Sequence, residues 1–178
     1  NLKKVKGPYE VLDAVPMVLN KYRDTKFIFI GKGKDLDKLK EKAKEERLEK
    51  NVEFTGYISL EDKIQRFKDA HIFAFPTYHG EGFPTVILEA MAAGMPVVTT
   101  PAAGLVNAIE NAREGYIIKT MPPEPKEIAQ RIIQLIENPE LIKKMSENNL
   151  AEAKEKYDVK VVSRQISEIY LDISKIKQ

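Results

Sequence analysis

Glu81 and Glu89 stand eight residues apart in the run HGEGFPTVILEAMAAGMP, which extends from His79 to Pro96. The first lies in a Gly-rich turn and the second inside an apolar stretch with helical spacing. A strand predicted over His71–Phe75 ends just before the turn. That places the turn where open α/β sheets hold their ligands, outside the carboxyl ends of strands. A helix starting near Thr85 offers unpaired N–H groups and the positive end of its dipole, which suit a phosphate. Glu89 lies just over one turn into that helix, close enough to face the same crevice. A carboxylate there accepts hydrogen bonds from sugar hydroxyls but repels a bare phosphate. The combination points to a phosphorylated sugar or a nucleotide-sugar. Taken alone, the two glutamates also read as solvated helix surface beside an ordinary Gly-Phe-Pro turn.

Other chemistry-bearing groups carry weaker signals. Gly31-Lys32-Gly33 follows a predicted strand, but the third glycine of a dinucleotide fingerprint is missing and no acidic residue closes the next strand. On spacing alone it is a tight strand-to-helix turn. Lys6-Gly7 precedes the first helix and could bring an ammonium to a phosphate, although basic N-terminal segments are more often plain surface. His71 is expected to be a packed core histidine, and His79 a loop residue beside Glu81. The two make no metal site with any carboxylate at known spacing. There is no Gly-x-Ser-x-Gly elbow, no Cys/His pair and no Walker lysine motif.

The elements that must position these residues alternate along the chain. A helix is expected from Pro8 to about Tyr22, with Val11, Leu12, Val15, Val18 and Leu19 on its apolar side and Pro16 as a point of kinking. The strand Lys26–Ile30, a charged helix over Asp35–Leu48 and the strand Asn51–Thr55 follow. Ser59 with Asp62 caps a helix to about Asp69. After the glutamate turn come the helix Thr85–Ala93, stopped by Gly94, and the strand Val97–Thr100. A short helix Ala103–Asn111 and the strand Gly115–Lys119 complete this part. Pro125 opens a helix with Ile128, Ile132 and Ile136 on one stripe. Two more helices follow over Pro139–Lys156 and Val159–Ser174, the last capped by Asp158. Short apolar strands alternating with helices predict a doubly wound α/β fold, a Rossmann-like parallel sheet with C-terminal helices.

The chain has 178 residues, 43% of them hydrophobic, which is enough for one globular domain with a full core. Its 29 basic and 27 acidic residues give a formal charge of +2, so no nucleic-acid footprint is present. Charge runs such as Lys38–Lys44 mix both signs on a helix and read as solvated faces. Cysteine is absent, which excludes disulfides and thiolate metal sites. No apolar run approaches the roughly 20 residues of a membrane span, and no signal peptide is recognisable. A cytoplasmic setting fits best. Many Lys and Glu with no Cys or Trp would suit a thermophile, a weak indication. The chain opens on Asn1 in a basic, turn-like segment, and is expected to be part of a longer protein.

The segment Pro76–Pro96, PTYHGEGFPTVILEAMAAGMP, closely resembles the signature of retaining GT-B glycosyltransferases, specifically glycosyltransferase family 4 (glycosyl transferases group 1). That family shows two glutamates separated by seven residues and then Ala-Met-Ala-x-Gly-x-Pro. Lys6-Gly7, Phe29-Ile30-Gly31-Lys32-Gly33, Val52-Glu53-Phe54-Thr55-Gly56-Tyr57 and Tyr157-Asp158 agree with it in order, so the resemblance covers essentially the whole chain. It implies the C-terminal, donor-binding half of a GT-B enzyme, with residues 1–178 as one Rossmann-like domain and the N-terminal acceptor domain absent. By position, Glu89 would bind ribose hydroxyls and Glu81 would sit by the donor sugar. The backbone at Phe83 and Thr85 would meet sugar and diphosphate, with Gly82 and Gly31 among the donor-binding positions. Lys6 would neutralise the departing diphosphate, and the backbone at Tyr57 and Ile58 would lie near the base. Lys6 and Glu81 are thus the expected catalytic pair. The resemblance implies a nucleoside diphosphate sugar as donor, no metal or other cofactor, and retention of anomeric configuration. It also implies an acceptor glycan or lipid-linked glycan held by the other domain, in surface polysaccharide or glycolipid synthesis. The full enzyme would sit in the cytoplasm, with peripheral contact at the inner membrane face.

Two positions depart from the pattern. Asn1 stands where the family often has Arg, which removes one of two usual diphosphate cations if the register holds. Pro84 stands where many members have Gly, and its missing N–H removes a potential donor. The first departure leaves open an alternative, a non-catalytic sugar-nucleotide binding or interaction module. As an isolated half, the chain is expected to bind nucleotide without turnover.

Overall fold

In the computed structural model of the chain, residues 2–78, 84–101, 109–110 and 113–176 are described. Among them a short 3₁₀ turn at Lys4–Lys6 leads into α1 (Pro8–Leu19), β1 (Phe27–Ile30), α2 (Leu36–Glu45), β2 (Val52–Gly56) and α3 (Leu60–Asp69). Then come β3 (Phe73–Phe75), α4 (Thr85–Ala92), β4 (Val97–Thr99) and β5 (Gly115–Ile117), followed by three helices, α5 (Pro125–Ile136), α6 (Pro139–Lys156) and α7 (Val159–Ile176). Every strand pairing is parallel. β1 pairs with β2, Phe27 opposite Val52 and Phe29 opposite Phe54, and the two phenyl rings stack at 5.0 Å. β4 lies between β3 and β5, with Val97 opposite both Phe73 and Gly115. The sheet is therefore in two parts, β2-β1 and β3-β4-β5, with no ladder between β1 and β3 among the described residues.

Period-two alternation along the strands divides their side chains between two cores. Phe27, Phe29, Ala74 and Val98 face a core built with α1, α2 and α5, where Leu12, Leu39, Ile128 and Leu135 are fully buried. Phe73, Phe75 and Val97 face a second core with Phe67 of α3 and Ile87 and Met91 of α4. This is the doubly wound arrangement expected from the sequence, helices on both faces of parallel strands. In α1 the apolar spacing works as expected: Val11, Leu12, Val15 and Val18 are buried, and the helix runs on through exposed Pro16. Each side chain enclosed this fully contributes on the order of 1.5–3 kcal/mol.

Caps and glycines fix where the elements stop. The Ser59 hydroxyl accepts a 3.0 Å hydrogen bond from the Asp62 N–H, as predicted. Asp158 accepts one from the Lys160 N–H at 2.8 Å at the start of α7. Gly94, at φ 74°, ends α4 in the left-handed conformation that glycine adopts most easily.

One expectation fails. His71 is not a packed core histidine inside a strand: it is exposed, and β3 begins two residues later, where the Phe73 N–H donates to the Pro96 carbonyl. An imidazole outside the ladder keeps its polar nitrogens in water, which is cheaper than burying them unpaired. The predicted helix over Ala103–Asn111 falls largely on 102–108 and 111–112, outside the described residues.

Candidate functional site

Because all strands are parallel, their carboxyl ends share one edge of the molecule. Across that edge runs the N-terminal segment. The Leu2 N–H donates to the Lys32 carbonyl at 2.8 Å, and the Leu2 carbonyl accepts from the Asp35 N–H at 3.4 Å. Buried Asp35 in turn accepts from the Lys4 N–H at 2.8 Å. On the other side the Val5 carbonyl accepts from the Tyr78 N–H at 3.0 Å. Two glycines permit this close crossing. A Cβ on Gly33 would lie 1.9 Å from the Leu2 carbonyl oxygen, and one on Gly7, at φ 78°, would lie 2.4 Å from that of Pro76. Lys6 is thereby placed beside the end of β3, its ammonium 6.0 Å from the centre of the Phe75 ring.

A cavity of about 1710 Å³ opens at this edge, and Lys6, Gly31, Tyr57, Ile58, Thr85 and Glu89 all line it. Six of the nine residues singled out from the sequence are thus brought to one place. The other three, Glu81, Gly82 and Phe83, lie outside the described residues. Gly31 ends β1, and its N–H donates to the Gly56 carbonyl at the end of β2. Tyr57 follows that strand, is 76% exposed, and carries the Lys32 ammonium 5.4 Å above its ring centre. The ammonium is attracted by the electron-rich face of the ring. Thr85 is the first residue of α4, whose preceding Pro84 makes no side-chain cap. The first-turn N–H groups of α4 therefore have no side-chain acceptor at the N-cap, and the helix dipole points its positive end into the cleft.

Glu89 is not isolated. Lys63 of α3 donates to its Oε1 at 2.8 Å, and both side chains are partly exposed. Sequence reasoning missed Lys63, for the pair spans 26 residues and two elements. The only available signal was that Lys63 lies one turn into the helix that starts directly after Tyr57-Ile58. Also missed was Glu10 of α1, whose half-buried carboxylate meets Tyr78, the last described residue before the glutamate turn. Burial raises the Glu10 carboxyl above the ordinary carboxylate range, while a local backbone hydrogen bond and the Tyr78 hydroxyl oppose that rise.

A cleft with a lysine, a helix N-terminus, a carboxylate and an exposed aromatic is chemically matched to an anion joined to a hydroxylated ring. The family described as Glycosyl transferases group 1 matches residues 1–151 of the chain. The chain belongs to that family. Among relatives of this group 1 domain, the phosphatidyl-myo-inositol mannosyltransferase of Mycobacterium tuberculosis is 30% identical over 167 residues, 93% of this chain and 43% of the relative. Anabaena Alr3699/HepE, solved in complex with UDP, superposes with a TM-score of 0.85 at 27% identity, over 97% of this chain and 47% of that one. The C-terminal domain of the group 1 family protein LpcC from Francisella tularensis superposes with a TM-score of 0.78 at 29% identity, over 89% of this chain and 83% of that domain. The chain thus spans less than half the length of the curated relatives it matches first. Its fold is the Rossmann-like half of a GT-B glycosyltransferase.

Proposed function

We propose that this domain binds a nucleoside diphosphate sugar in the carboxyl-end cleft and supports retaining transfer of its hexosyl group to a glycan or lipid-linked acceptor. The observation that carries this reading is the convergence of Lys6, Tyr57, Thr85 and Glu89 on one cavity from four separate stretches of chain. In this reading Glu89 accepts hydrogen bonds from the ribose hydroxyls. Gly31 and the backbone of Tyr57 and Ile58 border the base, and Glu81, Gly82 and Phe83 border the donor sugar. Lys6 and the first turn of α4 meet the diphosphate. As the sugar–phosphate bond breaks, negative charge grows on the diphosphate, and a fixed ammonium and helix dipole stabilise it without reorganising. The same two positive groups take the place of a metal.

The UDP and UDP-glucose complexes of Alr3699/HepE support a nucleotide-sugar donor. The name of the mycobacterial mannosyltransferase supports a lipid-linked acceptor. That acceptor would be held by a second domain, so the 178-residue chain alone is expected to bind donor without transferring sugar. We place the full enzyme at the cytoplasmic face of a membrane, in peripheral contact. Among the described residues no helix is long and apolar enough to cross one.

Calorimetric titration with UDP, GDP and ADP and their sugar conjugates tests this reading. One nucleotide family should bind, with and without EDTA, and Glu89→Ala should weaken it by roughly 1–3 kcal/mol, the worth of charged hydrogen bonds. Equal binding by wild type and Glu89→Ala would remove Glu89 from the site. Sugar transfer by the isolated chain would overturn the division of labour between domains.

A further inference from the structure

The near-neutral total charge conceals a segregation. The segments Leu2–Gly7 and Gly31–Asp35 carry five lysines and one aspartate, which leaves 24 basic against 26 acidic residues in the rest of the chain. Backbone bonds from Leu2 to Lys32 and Asp35 hold the two segments side by side at the carboxyl edge. The aspartate is Asp35, which is buried and accepts from the Lys4 N–H, so neither segment shows a carboxylate at the surface. Lys6 lines the cleft, whereas Lys3, Lys4, Lys32 and Lys34 are exposed. Glu10, the carboxylate that Lys4 feels, is half-buried and bonded by Tyr78. Asp37 is exposed in the first turn of α2, with exposed Lys38 beside it. The backbone adds to the excess: α1, α2 and α3 all begin at this edge and turn the positive ends of their dipoles toward it.

Next to the lysines stand two uncovered apolar side chains. Tyr57 is 76% exposed and Leu60 60%, the largest values for large apolar residues among the described residues outside α7. The Lys32 ammonium over the Tyr57 ring joins them to the basic strip. Leu60 opens α3, and the next two residues, Glu61 and Asp62, are turned about 100° and 200° around the helix from it. The Asp62 carboxylate also accepts from the Ser59 hydroxyl. A single exposed apolar residue is ordinary surface. An aromatic and a leucine flanked by lysines suit the boundary layer of a bilayer, where rings and aliphatic groups sit at headgroup depth and ammonium groups reach phosphates.

We propose that this rim is a membrane-contacting surface that seats the mouth of the cleft on an anionic phospholipid bilayer. Lys3, Lys4, Lys32 and Lys34 meet lipid phosphates, and Tyr57 and Leu60 enter the headgroup layer. The inference rests on the reading above, in which the acceptor is lipid-linked, and gives the membrane contact a face on this domain. A soluble polyanion would engage the lysines and leave the apolar pair unused.

The 178-residue chain is sedimented with vesicles of phosphatidylcholine and phosphatidylglycerol in equal parts, and with phosphatidylcholine vesicles, at low and high salt. It should bind the mixed vesicles, more weakly as salt rises, and leave the neutral ones free. Lys3→Gln, Lys4→Gln and Lys34→Gln together should weaken that binding at least about tenfold, as expected for three lysines near an anionic surface. Lys143→Gln, Lys144→Gln and Lys154→Gln remove the same charge from α6, which Asn149 fastens at the opposite edge, and should bind as wild type does. Tryptophan at position 60, in a chain that has none, should shift its emission to the blue on mixed vesicles alone. No binding of the unaltered chain to mixed vesicles, equal binding to neutral ones, or equal losses in the two triple variants overturns the proposal. So does an unshifted Leu60→Trp spectrum, or a DNA duplex bound as tightly as the mixed vesicles. Nucleotide titration of the same preparation separates the two readings. Nucleotide bound without vesicles removes this surface and leaves the donor site standing, whereas vesicles bound without nucleotide leave the surface and remove the donor site.

Discussion

Glu10 shows how a single half-buried carboxylate near the cleft shapes the behaviour of the chain. Burial is the largest influence on it and raises its pKa, against the opposing hydrogen bonds from its own backbone and from Tyr78. An acid whose folded pKa is raised binds its proton more tightly in the folded state. Stability is then full below the unfolded pKa and is lost as pH rises through the folded one. Glu10→Gln keeps an acceptor for Tyr78 and removes the charge. The variant should melt higher than wild type at pH 7, and the gap should shrink below about pH 4, where both states of wild type are protonated. Thermal melts across that range check it; a gap independent of pH would show that burial of charge is not the cause. None of this was legible in sequence, where Glu10 is one more polar residue on the first helix. The place of Glu89 on the cleft was legible, because its helix, turn and strand are local and each has its own signal. Its partner Lys63 was not, since only the packing of α3 beside α4 brings the two together.

Between elements, one buried tie is made by an amide rather than by a charge. Asn149 of α6 is fully buried, and its Nδ2 donates to the carbonyls of Met95 and Glu114, each at 2.9 Å. One side chain thus fastens α6 to the turn before β4 and to the start of β5. Asn149→Ala leaves the Met95 carbonyl without that donor and opens a small void. It should cost about 1–3 kcal/mol, the range for an orphaned buried acceptor. Urea titration should show a lower midpoint with the slope unchanged; an unaltered midpoint would mean that water replaces the amide without loss. The elements themselves were largely legible. Pro8, Ser59, Gly94, Pro125 and Pro139 each mark a boundary by a local backbone rule, and the observed ends fall at or beside them. The His71 error arises because a strand start depends on its neighbour: only the Pro96 carbonyl decides where β3 begins.

At the scale of the whole molecule, alternating short strands and helices announced a parallel sheet with helices on both faces, because each element's apolar pattern demands cover on the side it leaves bare. The division of that sheet was not legible. Strand order is set by which edges meet, and no residue in β1 or β3 records the absence of a neighbour. The consequence of that division belongs to cooperativity. Among the described residues no ladder joins the two parts, so cohesion across the gap falls to the N-terminal segment, bonded at Leu2 to one side and at Val5 to the other, and to the helix layer, where α1 packs against α5 and their shared core reaches β1 on one side and Val98 and Tyr116 on the other. Such a molecule has a line of weakness along which it can open in two units, each with its own free energy of local unfolding. Native-state exchange of this chain in dilute denaturant should therefore resolve β1–β2 amides from β3–β5 amides as separate opening units. A single shared opening energy would show that α1 and α5 already bind the halves into one.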